Sequence, residues 1–130
     1  MITINFSSSL KVLGIKTKIT DVFDAIKGGE YAKDISTYRD ILKNDKDLAS
    51  YYKKQLPCFT VSGCFIGKRN VSNLENYNSL IHLDYDLKDE SKAKEIVALA
   101  NEIPYTYCSF ISPSYGVKIF VRTDSNESNH

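Results

Sequence analysis

The chain has 130 residues, a length typical of one domain with its own hydrophobic core. Its net charge of +1 creates no overall field that would attract nucleic acid, so any basic surface must be local. The three cysteines lack paired spacing, which favours free thiols in a reducing compartment over a disulfide framework or a zinc site. No apolar run is long enough to cross a bilayer and the first residues do not form a signal peptide. We therefore expect a cytoplasmic protein without a membrane partner.

The first half of the chain indicates short extended segments followed by helices. Apolar residues alternate loosely through residues 2–19. A first helix should be capped by Thr20 and end at Gly28, because glycine accepts the left-handed conformation that follows a helix. Apolar residues at helical spacing predict further helices over residues 30–43 and 48–55.

From Cys58 onward, the apolar residues mainly follow the two-residue alternation that is typical of strands. Gly63 is interpreted as a turn or bulge and residues 70–79 as a polar loop. A helix capped by Asp89 or Ser91 should end at Pro104. The predicted strands cover residues 58–62, 64–67, 80–87, 105–111 and 117–122. This order predicts an α+β domain over residues 1–130, with N-terminal helices, a mainly antiparallel sheet and a packed helix.

The strand over residues 80–87 carries the first candidate site. His82, Asp84 and Asp86 share one face because successive strand side chains alternate. Carboxylates two residues apart lie roughly 6.5–7 Å apart at Cα and can share hard cations such as Mg²⁺ or Mn²⁺. The alternative is a solvated polar face, because an isolated Asp-x-Asp pattern is weakly specific. For His82, a structural hydrogen-bonded role is the alternative to a metal or substrate contact.

The hairpin over residues 112–122 is the second candidate. Its turn offers hydroxyls and backbone N–H groups that can cradle a phosphate, and its second strand places two basic residues on one face. Basic groups beside metal-loaded carboxylates suit a nucleoside triphosphate, so we predict that this strand lies beside the Asp84 strand. The alternative is a serine-rich hairpin with a solvated basic face. The candidate nucleotide-binding residues are Ser112, Ser114, Gly116, Lys118 and Arg122.

Lys68 and Arg69 form a second basic pair, directly after a predicted strand that we expect to neighbour the aspartates. They are candidates for binding a nucleic-acid template or a triphosphate. A solvated basic pair is the alternative interpretation.

Several segments resemble signature motifs of one known family. Residues 55–65 (QLPCFTVSGCF) resemble the "LPaFtpsGtF" signature of the VirE N-terminal domain. Residues 80–87 resemble its "l.lDiD" strand, and residues 110–122 (FISPSYGVKIFVR) resemble its "FiSPSGxGlKvfvr" segment. Residues 22–39 also fit its opening helices, so the resemblance spans nearly the whole chain.

The VirE N-terminal domain is similar to the archaeo-eukaryotic primase superfamily of primase-polymerases, whose core is RRM-like. The resemblance implies that Asp84 and Asp86 are metal ligands and catalytic residues. It also implies that the nucleotide-contact motif contains Ser112, Ser114, Gly116 and Lys118. Lys118 replaces the histidine of many primases, and the turn is one residue shorter than the family form. Family members often precede a helicase region, which implies a helicase partner in cis or in trans.

Three functions remain open at this point. The first is a primase-polymerase-like nucleotidyltransferase of a mobile-element or phage-type replication protein, acting on DNA and nucleoside triphosphates with Mg²⁺ or Mn²⁺. The second is a non-catalytic nucleic-acid-binding module, and the third is a metal-dependent phosphodiester hydrolase. The superfamily uses a third acidic ligand, which we expect beyond residue 130. The chain is therefore predicted to be a fragment that folds but does not synthesise a primer alone.

Overall fold

The computed structural model describes residues 1–12 and 14–129 and has the expected α+β class. Its strands form antiparallel sheets, and the chain divides into two compact units, residues 1–78 and 79–130. The prediction that residues 1–130 form a single domain stays a prediction. No helix within the described ranges is long and apolar enough to span a membrane.

The first unit contains β1 (Thr3–Ser7), β2 (Ile15–Lys18), α1 (Ile19–Lys27), α2 (Ala32–Leu42), α3 (Lys46–Lys53), β3 (Cys58–Phe59), β4 (Gly63–Phe65), a 3₁₀ turn (Val71–Asn73) and β5 (Leu74–Tyr77). The second unit contains β6 (Leu80–Tyr85), α4 (Glu90–Asn101), β7 (Thr106–Ile111) and β8 (Val117–Arg122).

In the first unit, β1 is the central strand of a sheet ordered β2-β1-β3, while β4 pairs with β5. Ile4 of β1 and Ile19 of α1 are fully buried in its core. Asn5 is also buried, and its side chain connects β1 to β4. It accepts a hydrogen bond from the Phe65 N–H at 2.6 Å and donates one to the Phe65 carbonyl at 3.3 Å. These hydrogen bonds satisfy the polar atoms of the Asn5 side chain, which explains why it can be buried beside the core.

The helices match their predictions closely, apart from the first cap. Thr20 lies inside α1, whose N-cap position is Lys18 without a side-chain bond, so the Thr20 cap is wrong. Capping at α4 is confirmed, because the Asp89 carboxylate accepts a hydrogen bond from the Lys92 N–H at 3.1 Å. Asp45 caps α3 in the same way, by bonds to the N–H groups of the first helical turn.

The segment between Gly63 and Ser79 differs most from its prediction. Gly63 begins β4 instead of forming a turn, and the bulge lies between Cys64 and Phe65. The predicted polar loop contains the strand β5. A Cβ at position 63 would collide with the Asn76 carbonyl of β5, so glycine permits the close approach of these two strands.

The second unit is a sheet ordered β6-β8-β7, with α4 packed over β7 and β8. The apolar face of α4 packs on this sheet, because Ala93 and Ala100 are buried against Val117 and Ile119. The apolar side of β6 is only partly covered. Its Leu83 and Tyr85 side chains are 39% and 45% exposed, because β6 forms an edge of this sheet.

The three cysteines are free thiols, as predicted. Cys64 is fully buried, and burial raises the pKa of Cys108 to about 11. This raised pKa disfavours the reactive thiolate of Cys108.

Candidate functional site

The candidate site begins with two neighbouring strands of opposite charge. In the antiparallel register of β6 and β8, Asp84 lies directly opposite Lys118. The Lys118 ammonium donates a hydrogen bond to Asp84 Oδ2 at 2.8 Å. The prediction that the Lys118 strand lies beside the Asp84 strand, with both side chains on one face, is confirmed. This face is opposite the one that α4 covers.

An aromatic cluster supports the same face next to the ion pair. Phe120 follows Lys118 on this face of β8 and is 1% exposed. Its ring makes edge contacts with His82 of β6 and Phe110 of β7, at centroid distances of 5.2 and 5.8 Å. These rings come from three strands and pack on the face that carries the Asp84–Lys118 pair.

Arg122 is on the same face but does not join the ion pair. In the sheet register it lies opposite Leu80, at the other end of β6 from Asp84. Arg122 comes four positions after Lys118 in β8, which corresponds to a Cα–Cα distance of roughly 13 Å. Its guanidinium stacks over the Tyr107 ring, 4.8 Å from the centroid. This contact was not predicted, since Tyr107 lies at the register shift in β7 between Thr106 and Cys108.

The turn over residues 112–116 uses much of its hydrogen-bonding capacity internally. The Ser112 hydroxyl accepts a hydrogen bond from the Gly116 N–H at 3.0 Å. The Ser112 and Tyr115 N–H groups donate to carbonyl oxygens of the same turn at 2.9 and 3.0 Å. A phosphate bound at these groups would therefore have to replace existing hydrogen bonds.

Gly116 has a structural reason to be glycine. A Cβ at this position would collide with the Tyr85 carbonyl oxygen of β6 and lie 3.1 Å from the Ser112 hydroxyl. Glycine therefore lets the hairpin turn pass close to the end of the aspartate strand.

The carboxylates suit a hard cation by chemistry, although no clustered ligand set accompanies them. Asp86 follows the end of β6 by one residue and is exposed. Within residues 1–12 and 14–129, no three His, Cys, Asp or Glu side chains form a metal-binding group. Mg²⁺ is commonly held by one or two carboxylates together with substrate phosphates, so the pair fits an ion that arrives with a nucleotide.

The charges of this face act on His82. Partial burial lowers the pKa of His82 below its ordinary value of 6.5, and the Lys118 ammonium lowers it further, while Asp84 acts in the opposite direction. The lowered pKa favours the neutral imidazole, which can both accept and donate a hydrogen bond.

We expect the NMR-monitored imidazole titration of His82 to have a midpoint below 6.5, with its signal assigned by a His82→Gln variant. Lys118→Met should raise this midpoint, and Asp84→Asn should lower it. Since the pKa is lower in the folded state, the unfolded chain takes up the proton first. Stability should therefore decrease as the pH falls from the unfolded value toward the depressed one. A midpoint that neither variant moves would contradict this electrostatic assignment.

Lys68 and Arg69 belong to the first unit. The strand before them, β4, pairs with β5, whereas the hydrogen-bonded neighbour of β6 is β8. The expectation that β4 is the strand neighbour of the aspartates is therefore wrong. The Arg69 guanidinium donates a hydrogen bond to the Leu10 carbonyl at 3.0 Å and lies 4.0 Å from the Cys58 Sγ.

A family model described as BT4734-like, N-terminal domain, matches residues 51–130, well over half of the chain. The chain belongs to this family. The BT4734-like match includes the whole second unit, and with it the Asp84–Lys118 pair and the turn over residues 112–116. Comparisons with curated proteins and with solved structures gave no match. The resemblance to the VirE N-terminal domain stays a prediction.

Proposed function

We propose that the chain is a primase-polymerase-like domain of a mobile-element or phage-type replication protein. In this role it binds a nucleoside triphosphate with Mg²⁺ or Mn²⁺, acts on DNA and works with a helicase in cis or in trans. The observation that carries the proposal is the Asp84–Lys118 pair, a carboxylate and an ammonium 2.8 Å apart on one sheet face. Sites for a metal-bound triphosphate combine carboxylates, which hold the metal ion, with basic groups, which contact the phosphates.

The pair can exchange partners at low cost when such a ligand arrives. Its side chains are 55% exposed at Asp84 and 29% exposed at Lys118. An exposed pair of this kind contributes about 0–1 kcal/mol, so little stability is lost when it separates. Lys118 can then donate a hydrogen bond to a phosphate oxygen, and the Asp84 carboxylate becomes available to bind a cation.

Asp84 and Asp86 would hold the metal ion, which would neutralise phosphate charge. Lys118 would bind the phosphate tail. Arg122 is a secondary phosphate candidate, because it must first leave Tyr107 or bind a more distant part of the ligand. Ser112 and Ser114 would contribute hydroxyls from the turn that precedes β8. Gly116 would contribute indirectly, because the absence of a side chain lets this turn lie against the Tyr85 carbonyl.

A second candidate function is a non-catalytic nucleic-acid-binding module. The same ion pair favours it, because the Lys118 ammonium already compensates the Asp84 carboxylate and competes with a metal ion. In this case Lys118 serves as one of several phosphate contacts, and Asp84 positions it.

The two functions are separated by titrating the full chain with a fluorescent nucleoside triphosphate, with and without Mn²⁺. We expect Mn²⁺ to strengthen binding and Asp84→Asn to abolish that enhancement. Lys118→Met should weaken binding in both conditions by about tenfold, as expected for one charge-assisted hydrogen bond. Lys94→Met is the matched control, because it breaks the exposed Lys94–Glu90 pair of α4 in the same unit.

Nucleotide binding that is equal in Asp84→Asn and the unmodified chain would contradict the metal role of this carboxylate. Oligonucleotide binding without nucleotide binding would select the second candidate. Extension of labelled nucleotides on primed and unprimed templates then tests catalysis directly.

A further inference from the structure

The first unit contains a basic surface that the net charge of the chain conceals. Three separate segments, residues 8–12, 50–58 and 66–73, contain five basic residues and no acidic residue. These are Lys11, Lys53, Lys54, Lys68 and Arg69. Because the whole chain has a net charge of only +1, the remainder is net negative. The positive charge is thus concentrated in these three segments.

Two hydrogen bonds bring the segments together in space. The Leu10 N–H donates to the Lys54 carbonyl at 3.3 Å, and the Leu10 carbonyl accepts from the Arg69 guanidinium at 3.0 Å. Leu10 therefore bridges the end of α3 and the basic loop after β4. Lys11 and Lys68 are exposed sequence neighbours of these bonded residues, so their charges lie close to the two contacts.

The basic groups are exposed, and the described residues provide no carboxylate partner for them. All five basic side chains belong to exposed residues, and the ion pairs found within residues 1–12 and 14–129 involve other lysines. A cluster of uncompensated cations lowers its mutual repulsion by binding a polyanion.

Exposed aromatic rings lie next to these charges. Tyr51 is 59% exposed and precedes Lys54, the C-cap residue of α3, by three residues, which makes the two neighbours at the C-terminal end of this helix. Tyr52 is 41% exposed, and its ring meets that of Tyr51 edge to face at a centroid distance of 5.8 Å. Such rings offer flat faces on which unpaired bases can stack.

We propose that this basic–aromatic surface, formed by Lys11, Tyr51, Lys54, Lys68 and Arg69, binds single-stranded nucleic acid. The cations contact the phosphate backbone, and Tyr51 stacks on a base. A duplex is a poorer ligand because its bases are already stacked on one another. The inference deepens the proposed function and rests on it for the class of ligand, but its residues belong to the first unit, whereas Asp84 and Lys118 belong to the second.

The proposal is tested by fluorescence anisotropy of the full chain with a labelled oligo-dT of about 15 nucleotides, a length in the range of single-strand sites. The variant Lys11→Ala/Lys54→Ala/Lys68→Ala should weaken binding at least about tenfold. It should also reduce the slope of log affinity against log salt by about 2, since each single-strand phosphate contact contributes about 0.7. Arg69 is left unchanged because it bonds Leu10.

The matched control, Lys33→Ala/Lys92→Ala/Lys94→Ala, removes the same charge from exposed positions outside the three segments. It should leave both affinity and salt slope close to those of the unmodified chain. Tyr51→Ala should weaken binding about tenfold, whereas Tyr51→Phe should retain it, because stacking requires the ring and not the hydroxyl. Circular dichroism verifies that each variant is folded.

Equal oligonucleotide binding by the triple variant and its control would overturn the proposal, as would full binding by folded Tyr51→Ala. Tighter binding to phosphatidylserine vesicles than to oligo-dT, lost in the triple variant, would identify an anionic membrane as the partner and would also overturn it. The triple variant should bind the fluorescent nucleoside triphosphate with Mn²⁺ normally. If Asp84→Asn loses nucleotide binding and the triple variant does not, the result concerns the proposed nucleotide site and not the basic–aromatic surface.

Discussion

Phe120→Ala should lower the free energy of unfolding by about 3–5 kcal/mol, as is typical for truncating a buried phenylalanine. Phe120 is 1% exposed, and its ring contacts those of His82 and Phe110. The truncation removes both ring contacts and leaves a cavity on the face that carries the Asp84–Lys118 pair. Urea denaturation followed by circular dichroism measures the effect.

Two variants provide the controls for this prediction. Phe120→Leu retains most of the buried volume and should cost less than half as much. Tyr105→Ala removes an aromatic ring that is 58% exposed, and its effect should stay within about 0.5 kcal/mol, as for most surface substitutions. An unchanged urea midpoint in Phe120→Ala would show that this side chain is not packed as described.

Gly116→Ala should destabilise the protein by about 1–3 kcal/mol or more, because its added methyl group must be accommodated in a filled space. The methyl would collide with the Tyr85 carbonyl, a backbone atom that cannot move without shifting β6. Asp84 lies one residue before Tyr85, so the same shift should disturb the Asp84–Lys118 pair. Thermal unfolding and the His82 titration measure the two consequences separately.

Tyr115→Gly is the control in the same turn. Tyr115 adopts a φ of 62°, which glycine occupies without strain, so this variant should retain the native fold. If Gly116→Ala were as stable as the unmodified chain but bound nucleotide more weakly, Gly116 would have a direct phosphate role. If both stability and binding decreased together, its role would be the structural one described here.

The amino-acid sequence determined the helices and the final hairpin with little ambiguity. The periodic apolar residues of α4 and the Asp89 cap are local signals, so they predict the helix without knowledge of its neighbours. The limits of β8, Val117 to Arg122, and its two faces were predicted for the same reason. The α+β class follows from the order of these elements.

Local sequence signals did not predict a strand correctly where that strand forms only through pairing with a partner strand. The polar sequence of β5 reads as a loop, and it becomes a strand only because β4 pairs with it. Gly63 likewise reads as a turn, whereas its function is to permit that pairing. The stabilising contacts in both cases are distant in sequence, and β-structure depends strongly on such context.

The candidate site shows the same division. The alternation of residues 80–87 determined that Asp84 and His82 share a face, and opposite charge suggested Lys118 as a neighbour. Only the tertiary structure decided that Lys118 bonds Asp84 directly while Arg122 stacks on Tyr107. Strand register and the irregularity in β7 set these contacts, and both are decided by pairing between strands. The basic–aromatic surface likewise required the fold, because Leu10 bonds Lys54 and Arg69, each more than forty residues later in the sequence.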